Sequence, residues 1–103
     1  MRYAPHRPFP RYAHIPGQTP HPFSDPEGHS FGQSHDEPDE FLFGVDLFNH
    51  GYFWEAHEVW EGHWHATGRE GALADFLKGL IQLAVAGVKV KQDIRDGVVR
   101  KAI

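Results

Sequence analysis

One stretch of the chain, residues 48–65, carries imidazole and carboxylate side chains among aromatic residues. His57 and Glu61 are four residues apart, so on a helix they lie one turn apart on the same face. Such a pair can bind one divalent ion together or form a direct hydrogen bond, and the spacing allows both. Because zinc takes three or four ligands counting water, a metal site would need more donors. The candidates, apart from a partner chain, are His21, Asp25, His29, His50 and Glu58.

The same pair also has a purely structural interpretation. His57 and Glu61 could form a buried hydrogen-bonded pair, extended to Gln82 or to the Asn49 amide, that fixes how helices pack. A zinc peptidase helix would have a second histidine where Glu61 stands, which argues against that class. A di-iron carboxylate bundle would need Glu-x-x-His pairs on two helices, and the third helix has none. No catalytic residue can be assigned from these patterns.

The composition bounds the class of protein. The 103 residues suit one small domain, and the absence of cysteine excludes disulfides, cysteine-ligated zinc and thiol catalysis. The formal net charge of -4 at pH 7 disfavours a nucleic-acid surface. The uncharged run 79–88 is much shorter than the roughly 20 residues of a membrane span, and residues 1–20 have no apolar run typical of a signal peptide. We therefore expect a cytoplasmic protein that binds no nucleic acid or membrane and no nucleotide or organic cofactor.

The chain divides near Pro38 into an N-terminal arm, residues 1–38, and a helical domain, residues 39–103. All eight prolines lie in the arm, and Ile15 is its only Leu, Ile or Val. The arm therefore cannot form a core of its own, and it is either a disordered tail or an extended segment whose aromatic rings pack on another surface. Regularly spaced turn-forming residues predict that the part covering 19–30 is ordered.

From Asp39 onward the spacing of apolar residues predicts helices. Residues 36–38 supply start signals for a first helix with Phe41, Val45 and Phe48 on one face. Gly51 suits the left-handed position after its end, which predicts an αα-hairpin with a second helix over 52–65. On that helix, one side should face inward and carry Phe53, Ala56, His57, Trp60 and Trp64, with Glu61 at its edge, whereas Glu55 and Glu58 should leave it.

A third helix is predicted over 70–91, with apolar residues on most of its circumference, so we expect it to be the central and most buried helix. Gly79 and Gly87 suggest close approach of a neighbouring helix or subunit. A last helix should begin near Asp96, and its apolar pattern is cut off at Ile103, as in a chain truncated at its C-terminus. The predicted fold is an all-α bundle of three to four helices with an extended proline-rich arm.

Two blocks of this sequence, within 48–64 and 76–86, together resemble the small helical family catalogued as domain of unknown function 309. The resemblance implies an all-α, often dimeric bundle whose signature His-x-x-x-Glu-x-x-Trp or Tyr is associated with metal binding without an assigned activity. That signature falls on His57, Glu61 and Trp64. The other matching positions that the resemblance marks as structural are Asn49, Gly51, Phe53, Glu55, Trp60 and Gln82. Lys78 departs from the family, where members often have glutamine.

Two hypotheses of function remain. In the first, the chain is a metal-binding helical domain, in which a divalent ion held by His57 and Glu61 could activate a bound water for hydrolysis of an unknown small-molecule substrate. In the second, it is a non-catalytic dimerisation or scaffold module, in which the same pair is a structural hydrogen-bond network. A homodimer is expected in either case.

Overall fold

A computed structural model describes residues 1–24 and 39–102. This part of the chain contains a short 3-10 helix, Pro22–Ser24, and three α-helices: α1, Glu40–Asn49; α2, Phe53–Ala66; and α3, Ala72–Ala102. It contains no strand, so the prediction of an all-α fold is confirmed. α2 packs against both α1 and α3. None of the described helices combines the length and the apolar composition that crossing a bilayer requires.

The predicted αα-hairpin is formed by α1 and α2. Gly51 has a φ of +88°, the left-handed conformation that glycine adopts without a steric penalty, and the chain enters α2 only two residues later. The Lys91 ammonium on α3 donates a hydrogen bond of 2.6 Å to the Gly51 carbonyl, which ties the hairpin to the third helix. The start signals predicted at 36–38 lie outside the described residues.

The most buried face of α1 differs from the predicted one. Phe43 and Leu47 are buried together with the carboxylates of Glu40 and Asp46, whereas the predicted face is only half-buried or packs at the edge of the core. The reason is that the arm covers this most buried face of α1. The Arg7 guanidinium lies over the Phe43 ring and donates a hydrogen bond to Glu40, and the Asp46 carboxylate also binds the arm. That predicted face consists of Phe41, Val45 and Phe48.

The helix predicted to begin near Asp96 does not exist as a separate element, because α3 continues without a break to Ala102. The segment after Lys91 contains no proline, and one glycine, Gly97, costs only about 1 kcal/mol in a helix, too little to end it. The prediction that the third helix is the most buried one is also wrong. Only its face with Ala74, Leu77 and Ala84 is buried, and several large apolar side chains on its other sides are exposed.

The two glycines of α3 have different surroundings. A Cβ at Gly87 would lie 2.7 Å from the Phe53 ring, so α2 does approach α3 closely there, as the sequence suggested. A Cβ at Gly79 would meet nothing within 4 Å. No neighbour within the described chain therefore explains the small residue at Gly79.

The described part of the arm packs against the helices instead of forming a free tail. The buried Asp46 carboxylate accepts hydrogen bonds of 2.8 Å from the N–H groups of Tyr3 and Ala4. The buried Glu55 carboxylate accepts one of 2.8 Å from the N–H of His14. Of the stretch 19–30 that was predicted to be ordered, 19–24 is described and 25–30 lies outside the described residues.

These contacts lower the pKa of one carboxylate. Burial alone would raise the pKa of Asp46, but the N–H groups of Tyr3 and Ala4 and the Arg2 guanidinium outweigh burial and hold this pKa below its ordinary value. The folded state therefore binds this proton less readily than the unfolded state. The resulting stabilisation is present above the ordinary carboxyl pKa of about 3.9 and is lost as the pH falls through the lower, folded value.

We expect Asp46→Asn to lower the free energy of unfolding at neutral pH by about 1–3 kcal/mol, because an amide NH₂ would face backbone N–H donors. Below about pH 4, the free energy of unfolding of the variant should also fall less steeply with pH than that of the unchanged protein. Urea unfolding from pH 2 to pH 7 measures both effects, with Asp93→Asn as a control at an exposed carboxylate on α3. Parallel pH profiles for the unchanged protein and Asp46→Asn would contradict this role of Asp46.

Candidate metal centre

Three side chains of α2 converge at one point of the surface. His57, Glu58 and Glu61 each offer a ligand atom, and these atoms lie within 4.8 Å of one another. The His57 Nε2 atom is 3.2 Å from Glu61 Oε2 and 3.7 Å from Glu58 Oε1. The side chains come together because Glu61 follows His57 by four residues and Glu58 by three, so that both lie about one helical turn before it.

The orientation of the His57 ring is fixed by the backbone of α2. Its Nδ1 atom lies 3.0 Å from the Trp54 carbonyl oxygen. A carbonyl oxygen can only accept a hydrogen bond, so Nδ1 carries the proton and donates it. The other ring nitrogen, Nε2, is thereby turned towards the two carboxylates, and in a neutral imidazole it holds a lone pair.

A lone pair facing two carboxylates is unfavourable unless a positive charge lies between them. That charge can be a second proton, which makes His57 an imidazolium paired with Glu61, or it can be a cation bound by all three side chains. Histidine ligands of metals commonly donate their other ring N–H to a backbone carbonyl, as His57 does to Trp54. The geometry therefore suits either a charged pair or a metal ligand set.

The carboxylates of the cluster repel each other. Burial raises the pKa of Glu58, and the nearby Glu61 carboxylate raises it further, against the opposing effect of charge on His57 and His21. A cation in the cluster would offset both the burial and the repulsion.

The cluster lies at the edge of the helix bundle and not inside it, contrary to the expected inward-facing pair. The His57 side chain is 18% exposed and that of Glu61 is 44% exposed. Glu55 is the fully buried acidic residue of α2. Glu55 is buried because the arm covers the side of α2 that carries it. The periodicity of the helices alone could not indicate this contact.

The other predicted ligands occupy separate places. His21 lies on the arm, edge-on to the Trp54 ring with 5.6 Å between ring centroids, and so stands near the cluster. His50 is at the end of α1, where its ring packs against Phe9 at 4.9 Å, and it does not join the cluster. Asp25 and His29 lie outside the described residues.

The residues proposed to extend a structural network do not reach the pair. Asn49 is exposed at the end of α1, and Gln82 is exposed on α3. Gln82 instead lines a groove of about 310 Å³ between α2 and α3, together with Glu61, Trp64, Lys78 and Ile81. The cluster thus borders the arm near Trp54 and this groove through Glu61.

Two of the aromatic residues at the other positions that match the family, Trp60 and Phe53, pack against neighbouring helices. Trp60 is buried, its indole N–H donates to the Phe41 carbonyl at 3.3 Å, and a Cβ at Gly44 would overlap its ring. Phe53 packs edge-on against Phe48 and against Gly87.

Two histidines near the cluster were missed by the sequence interpretation. His65 Nε2 lies 3.9 Å from Glu61 Oε1, and the Arg69 Nε–H donates to His65 Nδ1. Helical spacing could have indicated the contact of His65 with Glu61, since His65 follows Glu61 by four residues. The buried His14 packs edge-on against Trp54 at 4.7 Å, and because it is in the arm no helical spacing could have indicated it.

No curated protein and no solved structure matches the chain, whereas a family model does. The family described as "Domain of unknown function (DUF309)" matches residues 41–101, which include all of α2 and the cluster, and cover more than half of the chain. This match confirms the resemblance found in the sequence, and the chain belongs to the DUF309 family.

Proposed function

We propose that this domain binds a divalent metal ion through His57 Nε2 and the carboxylates of Glu58 and Glu61. The observation that carries the proposal is the ring orientation of His57, whose Nδ1–H is held by the Trp54 carbonyl while Nε2 faces both carboxylates. An ion at this position would neutralise two acidic side chains that otherwise repel each other across a few ångströms.

The donor set restricts the class of ion. One imidazole and two carboxylates supply nitrogen and oxygen, which suit zinc, manganese, ferrous iron and nickel better than the soft ions that prefer sulfur. Three protein ligands also leave at least one coordination position for another ligand. His21 is our candidate for that position, because it is the imidazole of the arm that stands near Glu58 and Trp54.

We expect added zinc, nickel or manganese to raise the melting temperature of the protein, because an ion that binds only the folded state stabilises it. Glu61→Gln should lower metal affinity at least about tenfold, since it replaces a charged ligand without changing its size. Isothermal titration calorimetry and thermal melts measure both effects, with Glu70→Gln as a control at an exposed glutamate.

The same variants separate metal binding from a charged His57–Glu61 pair. If the pair is only structural, Glu61→Gln should lower the stability of the metal-free protein, and metals should have no effect on either protein. Metal affinities that are equal in the unchanged protein and Glu61→Gln would also exclude this ligand set.

A further variant tests the arm ligand. We expect His21→Ala to weaken metal binding by at least about tenfold, because removing a ligand should cost no less than removing an outer-shell partner of a ligand. His6→Ala is the matched control, because His6 is also an exposed imidazole of the arm but contacts Asp39. Equal metal affinities for His21→Ala and His6→Ala would assign the remaining position to water.

The second candidate function is homodimerisation, and an apolar stripe along α3 favours it. Five exposed apolar residues follow the alternating three- and four-residue spacing of a helix-to-helix seam. The seam is interrupted at Leu80 and Gly87, which are half-buried against the core and the Phe53 ring. The five exposed residues have relative exposures of 51–62%. The five are Leu73, Phe76, Leu83, Val90 and Ile94.

The length of this α3 stripe favours a second copy of the same helix. From Leu73 to Ile94 it extends over about 30 Å, at 1.5 Å per residue. α1 and α2, with 10 and 14 residues, are too short to match it. Gly79 lies at the edge of the stripe with open space around it, which suits close approach of another helix.

We expect the protein to be a dimer in sedimentation experiments and Leu83→Glu to convert it to a monomer, because the charge would be buried in the middle of the seam. Lys89→Gln is the control, since it changes the net charge by the same one unit at an exposed position off the stripe. A monomeric unchanged protein at several hundred micromolar would exclude this interface.

A further inference from the structure

The groove beside the metal cluster is formed by two helices of different character. α2 contributes Glu61 and Trp64, and α3 contributes Lys78, Ile81 and Gln82. Its volume of about 310 Å³ lies at the lower end of the range for small-molecule sites. The groove therefore has room for a small organic molecule.

The walls of the groove are mostly apolar. Trp64 and Ile81 face it from opposite helices, and both side chains are half-buried. An apolar body placed between the indole and the isoleucine would remove both from water, at roughly 25 cal/mol per Å² of apolar surface buried. Such a body would give affinity without selecting a particular functional group.

The α3 side of the groove carries a positive charge, the Lys78 ammonium. Within the part of the chain that the structure describes, the Lys78 ammonium forms no ion pair. Gln82 follows it by one helical turn, so that its carboxamide and the ammonium can contact the same ligand group. An anionic group would find one charged donor and one neutral donor at this end.

We propose that the groove binds a small organic anion, with an apolar body between Trp64 and Ile81 and a carboxylate or phosphate at Lys78 and Gln82. This site goes beyond metal binding, because none of its four ligand-contacting residues belongs to the His57, Glu58 and Glu61 cluster. Glu61 forms the wall that the two sites share.

The shared wall couples the anion to the metal. In the metal-free protein, the Glu61 carboxylate repels an anion in the groove, whereas a cation held by Glu61 removes this repulsion. The coupling rests on the proposed metal binding, but selection by Lys78 does not. Anion affinity should therefore rise in the presence of metal, and metal affinity should rise by the same factor in the presence of the anion.

The experiment uses the full chain labelled with ¹⁵N and titrated with phenylacetate, hexanoate and phenyl phosphate. Phenylacetamide and hexanamide are the neutral counterparts. We expect the anions to shift the Trp64 indole N–H and the Gln82 carboxamide signals, and the neutral amides to bind more weakly. The carboxylates and the phosphate together also distinguish which anionic group the site prefers.

Lys78→Gln should weaken anion binding by roughly fivefold, as expected for one partly solvated ion pair, and leave the neutral amides unaffected. Because Lys78 is exposed, this variant should fold like the unchanged protein. Lys89→Gln, also on α3, removes the same charge away from the groove and should change nothing. The proposal is overturned if no probe shifts Trp64 and Gln82, if the amides bind as well as the anions, or if both lysine variants weaken binding equally.

The titrations are repeated with zinc, after calorimetry has established whether zinc binds. If calorimetry shows that zinc, nickel and manganese all fail to bind, the proposed metal function fails, and the comparison of Lys78→Gln with Lys89→Gln still decides the anion site. If zinc binds but anion affinity stays the same or falls, the coupling through Glu61 is wrong.

Discussion

The structure depends on hydrogen bonds that backbone N–H groups of the arm donate to buried carboxylates of the helices. The arm has too few aliphatic residues to be held by burial alone, and Asp46 and Glu55 supply charged acceptors for the N–H groups of Tyr3, Ala4 and His14. Hydrogen bonds to a charged group are worth more than neutral ones. Conversely, a fully buried carboxylate without donors would destabilise the helices. The arm and the helical hairpin therefore require each other.

Trp54 connects this arm contact to the candidate metal centre. Its ring packs against His14 and His21 of the arm, and its backbone carbonyl fixes the ring orientation of His57. α2 thus contacts three neighbours on different sides: the arm through Glu55, α1 through Trp60 and α3 through Phe53. The cluster forms where the arm-covered side meets the side facing α3, at the edge of the bundle. Side chains there remain accessible to an ion while their backbone is held on both sides.

The features that could be predicted from the sequence are those that local helical geometry determines. The α1–α2 hairpin, the turn at Gly51 and the proximity of His57 and Glu61 all depend on short-range spacing along the chain. Glu58 was placed away from the pair because ideal geometry turns it by 100°, yet its flexible side chain reaches back to His57. The burial of Glu55 and His14 could not be predicted, because it arises from the arm, whose path no periodicity encodes.

α3 shows why a continuous apolar pattern overestimates burial. Its apolar residues occupy two faces, of which the one with Leu77 and Ala84 packs on the hairpin and the one with Leu83 and Val90 is exposed. At 100° per residue, Lys78 and Gln82 project on the flank away from that exposed stripe. A second copy docked along the stripe would therefore leave the groove and the metal cluster open. The proposed metal and anion sites share Glu61 and lie next to each other, whereas the proposed dimer interface lies along another face of α3. Dimerisation can therefore be removed without blocking either site.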